Sequence, residues 1–504
     1  MPHRMSATAI ILTIAAYIAL LFIVAHLSAR HSDNRTFFTG GRNTHRIVAA
    51  IAMVGAAMSG VTYISVPGSV LTDHFSYLQT TLGFFVGYLI IAFVLVPLYY
   101  RLGVVSLYEY LDRRFGIAAH RTGAWFFVIS KLLSASLRAY VVCIVLQSLL
   151  FDRYDIPFEV NAFVMMSLVG LYTWRGGVKT VVWTEMLKTI LMVGSIVICI
   201  VFIISNLDMS FGDAMGAIAN HDYSETLFLD DPMDGRYFWK QFLAGIFLVV
   251  AMTGLDQDMM QTALSCRNVK ESQRGLLLSI VVQMFVILLF LALGVLFYIY
   301  LSSQGIVPSA DGGFPLIDAS GEAVVVRGDD LFGYVTTEAG LPLMAGIIFL
   351  LGLVASTYSS AGSALTALTT SFTLDILRGR KTWSEVKIAR TRRMAHLLIA
   401  ATMMLIIITF GKWSSMGVIT LVFTMASYTY GPLLGMFTFG LTTKRRVRGW
   451  AIPTLAVAAP TLCYVLASHS EEWLAGYSFS YEILIVNAAI MFVGMWIFSR
   501  RNVA

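Results

Sequence analysis

The chain has 504 residues, 58% of them hydrophobic and only 13% charged, with a mean hydropathy of +0.76. No water-soluble domain buries that much apolar surface, so these proportions exclude a soluble enzyme and define an all-α polytopic membrane protein. The net charge of +6 points to no nucleic acid, because the sidedness of the loops accounts for it.

Thirteen apolar segments have spanning length, near residues 6–28, 46–70, 76–100, 122–150, 158–174, 178–206, 239–255, 275–301, 341–375, 394–411, 416–441, 449–468 and 480–499. The first has Arg4 ahead of it and Leu27-Ser28-Ala29 near its end, a layout shared with cleaved signals. Its length and the arginines that follow favour a retained span. With the N-terminus outside, 26 of the 35 Lys and Arg residues fall in cytoplasmic connections and 6 outside, and the long outer loops 207–238 and 303–340 are acidic. This alternation predicts an N-out, C-in protein of the plasma (inner) membrane. Lys131, Arg138 and Lys188 remain within spans.

The second span is interrupted by Gly55-Ala56-Ala57-Met58-Ser59-Gly60-Val61-Thr62 and then Pro67-Gly68. The seventh runs into Thr253-Gly254-Leu255-Asp256-Gln257-Asp258. Unwound backbone at membrane depth is tolerated where it lines a cavity, and breaks at matching places in two halves point to an inverted-repeat transporter. A ligand-free Gly/Pro kink is the alternative for each break alone. In the ninth span, Ser356, Ser359, Ser360, Ser363, Ala367 and Thr370 recur at i, i+3, i+4, i+7 and form one small, oxygen-bearing stripe. Hydroxyl oxygens suit a hard cation such as Na⁺. Close packing of two helices through small residues explains the stripe equally.

The fourth span carries Arg138 seven residues after Lys131, on roughly the same face. A guanidinium at that depth faces a cavity and binds an anion, or makes a structural pair. On the sixth span Glu185 and Lys188, at i and i+3, can meet on one helix face. Cys143, Cys199 and Cys463 lie in spans and Cys266 in a loop, without disulfide or metal spacing.

Several short motifs, in this order and spacing, resemble the sodium/solute symporter family along nearly the whole chain. They are Phe37-Phe38-Thr39-Gly40-Gly41-Arg42, Met58-Ser59-Gly60 with Val66-Pro67-Gly68, and Ser106-Leu107-Tyr108-Glu109-Tyr110-Leu111 with Arg114-Phe115-Gly116. Gly176-Gly177 with Val182-Trp183-Thr184, Asp256-Gln257 with Gln261, Ser359-Ser360 and Thr373-Leu374-Asp375-Ile376 complete the set. The resemblance implies a single transporter domain over 1–504 with a five-plus-five inverted repeat, about 46–206 and about 239–441, and peripheral helices 6–28, 449–468 and 480–499. It implies Na⁺ as coupling ion, held by the carbonyls of Gly55 and Met58 and by Ser356, Ser359 and Ser360. A hydroxyl at Ser356 resembles the sialic acid branch, in which a second sodium lies between these serines and an aspartate of the sixth span. Here that aspartate is Glu185, with Lys188 one turn later. Glu185 then serves the same second sodium while Lys188 snorkels to the interface, or the Lys188 ammonium substitutes for that sodium.

In the family fold Ser59, Thr62 and Gln79 lie near Arg138, and together they resemble a carboxylate cradle. The expected solute is therefore a small organic anion, such as sialic acid or another organic acid. A neutral sugar, amino acid or vitamin is the alternative; the stretch Val249-Val250-Ala251-Met252-Thr253 lacks the aromatic gate of sugar members. A membrane-embedded transferase is disfavoured because the nine histidines show no paired metal spacing. A sodium sensor is disfavoured because no output domain follows Ala504. The expected partners are the solute and the lipid bilayer, with no obligate protein partner evident.

Overall fold

The computed structural model describes residues 6–29, 34–174, 177–309, 313–317, 323–326, 328–377, 383–413 and 418–500. Expectations resting on Arg4, Gly176, Arg327 and Ala504 lie outside them. Among the described residues each of the thirteen apolar segments contains a helix. Eight helices among the described residues are long and apolar enough to cross a membrane singly, and each of two bent pairs adds one span. Val418–Thr442 has 25 residues, whereas Phe158–Thr173 and Ile483–Ile497, with 16 and 15, are shorter than the ~20 residues of a full crossing. The outer loop expected over 303–340 contains a short antiparallel pair, Phe314–Ile317 with Ala323–Val326.

Both interruptions are true breaks. Helix Arg46–Ala57 stops where Met58 and Ser59 turn extended (φ −100° and −120°), and Gly60–Gly68 resumes at 62° to it. The Ser59 N–H donates to Thr62 Oγ1 at 3.4 Å instead of to a carbonyl one turn back. The terminal carbonyls of the first half are thereby left without their helical donors. In the seventh span Phe238–Gly254 and Gln257–Ala263 meet at 74°. Asp256 caps the second half, accepting from the N–H groups of Asp258 (2.9 Å) and Met259 (3.3 Å). The freed carbonyls of Gly254 and Leu255 accept from the Tyr99 and Tyr108 hydroxyls, each at 3.0 Å.

The sixth and ninth spans pack along most of their length, the second lies against the sixth and eighth, and the fourth runs between the ninth and eleventh. The third and seventh spans cross at glycines. A Cβ on Gly83 would fall 2.9 Å from Ile246 N, and one on Gly245 3.1 Å from the carbonyl carbon of Thr80. Only hydrogen at these positions permits such an approach.

Candidate functional site

The serine stripe belongs to helix Leu343–Ser371 and is buried except at Ser360, which is partly exposed. Ser356 Oγ donates back to Leu353 O at 2.8 Å, leaving its lone pairs toward neighbours. Ser363 Oγ donates to the Asp258 carboxylate. Ser360 Oγ accepts from Lys188 Nζ at 2.6 Å. Ser359 Oγ, Thr357 Oγ1 and Glu185 Oε1 are buried without a hydrogen bond of good geometry, although Ser359 stands close enough to Glu185 to act on its charge.

The break in the second span closes the other side. A Cβ on Gly55 would lie 2.6 Å from the Glu185 carbonyl oxygen and 3.0 Å from Glu185 Oε2; one on Gly60 would lie 3.2 Å from Ser356 Oγ. Between these elements is a cavity of about 10 Å³ bordered by Ser59, Glu185, Asp258, Thr357, Ser360 and Ser363. That is room for roughly one water-sized particle. Of the unpaired oxygens, those of Thr357 and Glu185 belong to residues that border this space, as do the cationic Lys131 and Arg138; a buried oxygen left without a partner carries a cost that a hard cation can relieve.

Glu185 and Lys188 are both wholly buried, with Nζ 3.0 Å from Glu185 Oε2. Lys188 therefore does not snorkel: its ammonium points at the serine stripe, because Glu185 and Ser360 supply partners that hydrocarbon cannot.

An adjoining cavity of about 80 Å³ is lined by Ser59, Thr62, Lys131, Arg138, Asp256 and Tyr430, with further aromatic walls from Tyr77, Phe84, Tyr88 and Phe423. Ser59, Lys131 and Arg138 border both cavities. Residues 249–253 contribute no aromatic ring, as expected, yet rings arrive from the third and eleventh spans. The absent gate thus says less about sugars than the sequence suggested. Lys131 is clamped by Asp258 Oδ2 at 2.7 Å and Asp256 Oδ2 at 3.2 Å, and Tyr430 donates to Asp256 Oδ2 at 2.6 Å. Arg138, by contrast, donates no hydrogen bond and forms no ion pair among the described residues, and it meets the two aspartates only through space.

Gln79 is not brought to this cavity. It is buried and spent on the outer loop: its Nε2 donates to Arg236 O at 2.8 Å, and its Oε1 accepts from Phe228 N at 3.1 Å. The clamp on Lys131 was missed. A lysine at membrane depth needs a carboxylate, and the two acids of the seventh-span break were the signal. A separate cavity of about 780 Å³ between the first, fifth and tenth spans is walled mostly by apolar residues.

A polytopic helical body with two helix breaks converging on buried charges and paired small cavities is a membrane transporter, not an enzyme. The sodium:solute symporter family model matches residues 37–455, and the chain belongs to that family. It is 22% identical to the sodium/sialic acid symporter SiaT of Proteus mirabilis (strain HI4320), over 87% of this chain and 86% of that protein. It is 23% identical to the human sodium/iodide cotransporter, over 86% of this chain but 64% of that protein. The human sodium-coupled monocarboxylate transporter 1 is 25% identical over 54% of this chain and 43% of its own length. The chain thus spans only part of the length of some relatives.

Among solved structures, a substrate-bound, outward-open Na⁺-coupled sialic acid symporter superposes with a TM-score of 0.80 at 16% identity, covering 97% of each chain. Mhp1, a nucleobase-cation-symport-1 family transporter in a closed conformation, gives 0.55 at 12% identity, over 91% of this chain and 92% of that one. The expected family, the inverted-repeat transporter fold and membership of a sodium-coupled class are borne out.

Proposed function

We propose that this protein carries a small organic anion, a carboxylate, together with Na⁺ across the plasma (inner) membrane, N-terminus outside and C-terminus cytoplasmic. The observation that carries this reading is the Arg138 guanidinium: it borders the central cavity and forms no ion pair among the described residues, while Lys131 beside it is held directly by two aspartates. A planar donor fork left free in a low-dielectric cavity matches a carboxylate bidentately. A neutral sugar would offer that fork no charged acceptor of matching geometry.

The solutes named for the three relatives, sialic acid, iodide and monocarboxylates, are all anionic. The cavity, about 80 Å³, is far below the ~300 Å³ of an ordinary ligand pocket, so a short carboxylate fits this conformation better than a sugar acid. Ser59 and Thr62 offer hydroxyls at the same cavity.

Sodium is assigned to the space between the second-span break and the serine stripe, with the carbonyls of Gly55 and Met58 and the hydroxyls of Ser356 and Ser359 as ligands; Ser360, expected beside them, accepts from Lys188 instead. Its bound charge lies beside the carboxylate, so each favours the other's entry. Residues 46–206 and 239–441 are read as the two repeats. The test is uptake of labelled organic acids, from short monocarboxylates to sialic acid, and of a neutral sugar into proteoliposomes holding the full chain. Inward Na⁺-driven accumulation of an acid, and of no sugar, is expected. Sugar accumulation without acid transport overturns the assignment of Arg138.

A further inference from the structure

Six charged side chains gather around the two helix breaks: Lys131 and Arg138 on the fourth span, Glu185 and Lys188 on the sixth, Asp256 and Asp258 at the break of the seventh. The second, ninth and eleventh spans close the same space and add none within 47–68, 343–374 or 418–442. The six act on one another as a single group. Lys131 touches both aspartates, Lys188 touches Glu185, and Arg138 and Lys188 both lie within electrostatic reach of Asp258.

Their formal charges cancel, three cations against three carboxylates. The sum is also insensitive to where a proton sits inside the Lys188–Glu185 pair, since a shared proton leaves that pair neutral in either form. Net charge in a low-dielectric interior is costly, so cargo that preserves neutrality is favoured over cargo that does not. One Na⁺ with one monoanion preserves it. A second Na⁺ would leave the core with an uncompensated positive charge.

The position of Lys188 shows how the second site is spent. Its ammonium already holds Glu185 at 3.0 Å and Ser360 at 2.6 Å, the carboxylate and hydroxyl that a further sodium would need. Resting on the reading of an anion symporter given above, we propose that Lys188 is a tethered cation in place of a second sodium, so that one Na⁺ and one monovalent anion cross together without net charge.

The test uses the full chain in proteoliposomes, with potential set by K⁺ and valinomycin and the transported monocarboxylate as probe. Accumulation driven by Na⁺ is expected to be the same at zero potential and at about −100 mV inside. Movement of one net positive charge would instead raise it about 50-fold, since 100 mV is worth ~2.3 kcal/mol per charge. Binding of radiolabelled sodium to the purified protein is expected to give one ion per chain. Lys188→Gln is expected to bind two and to become voltage-driven, and Lys188→Arg to stay at one.

Voltage-driven uptake or two sodium ions per chain in the parent overturns the proposal, whatever the variants do. If no anion is taken up with sodium at all, it is the anion-symport reading that fails, and the sodium count still decides the role of Lys188.

Discussion

Removing the Ser359 hydroxyl separates an ion ligand from a packing residue, because the two roles predict opposite effects on stability. Ser359 Oγ is buried, makes no hydrogen bond of good geometry and has only the Glu185 carboxylate, already held by Lys188, within reach, so in the absence of sodium Ser359→Ala deletes a poorly satisfied polar atom. That change is neutral or stabilising, by up to ~1 kcal/mol at the lower end of the cost of such an atom. In the presence of sodium the variant lacks one oxygen ligand. Taking a contact between a hydroxyl and a full charge as worth about 1.5–3 kcal/mol, the sodium concentration for half-saturation should rise about 10- to 100-fold, at 1.4 kcal/mol per decade.

The assay is thermal unfolding of the detergent-purified protein across a sodium titration, paired with the sodium dependence of uptake. The expected result is an unchanged or higher midpoint without sodium and a stabilisation curve displaced to higher concentration. The reasoning is refuted if half-saturation stays within about twofold of the parent. It is equally refuted if the sodium-free midpoint falls by several degrees with the sodium response intact, since the hydroxyl would then be serving helix packing.

Two other substitutions test neighbouring pieces of the site. Arg138→Lys keeps the charge but loses the planar fork; uptake of the carboxylate should weaken about 10- to 100-fold in half-saturating concentration while sodium-dependent thermal stabilisation persists, and an unchanged uptake curve would make Arg138 structural. Gly55→Ala would place a methyl 2.6 Å from the Glu185 carbonyl oxygen and 2.5 Å from Thr189 Oγ1. The second span must then move off the sixth, so sodium-dependent stabilisation should be abolished, and a variant that retains it would show that this close approach does not shape the cation site.

The helical body was largely legible in the chain, because hydrocarbon demands long apolar runs and glycine, serine and proline mark where they stop. Both breaks and the buried serine stripe could be placed for the same reason. What periodicity could not supply was pairing across the chain. Lys131 and Asp256 are separated by 125 positions, and nothing local says that a lysine of the fourth span will lie between two acids of the seventh. Requiring every intramembrane cation to find a carboxylate would have found them. Gln79 illustrates the opposite error: an amide on a transmembrane helix reads as cavity-facing, yet both of its ends are taken by the backbone of the 228–236 loop. The direction of Lys188 was equally undetermined, since a four-carbon stem reaches either the interface or the core, and Ser360, 172 positions away, decides.

The glycine crossing of the third and seventh spans has a mechanical consequence. With Gly83 and Gly245 bringing backbone nearly against backbone, and with Thr80 Oγ1 donating to Gln241 Oε1 at 2.5 Å, the two helices interlock too closely to slide past each other. Helix Phe238–Gly254 and its third-span neighbour therefore swing as one lever, and the 74° elbow at Leu255 and Asp256 becomes its fulcrum. The Asp256 carboxylate at that fulcrum is one of the two that grip Lys131, so a tilt of the lever would tug directly on the wall of the solute cavity. A side chain wedged in at position 83 or 245 would loosen the lever without touching any ligand, slowing the turnover of the carrier while leaving the resting affinity for its cargo in place.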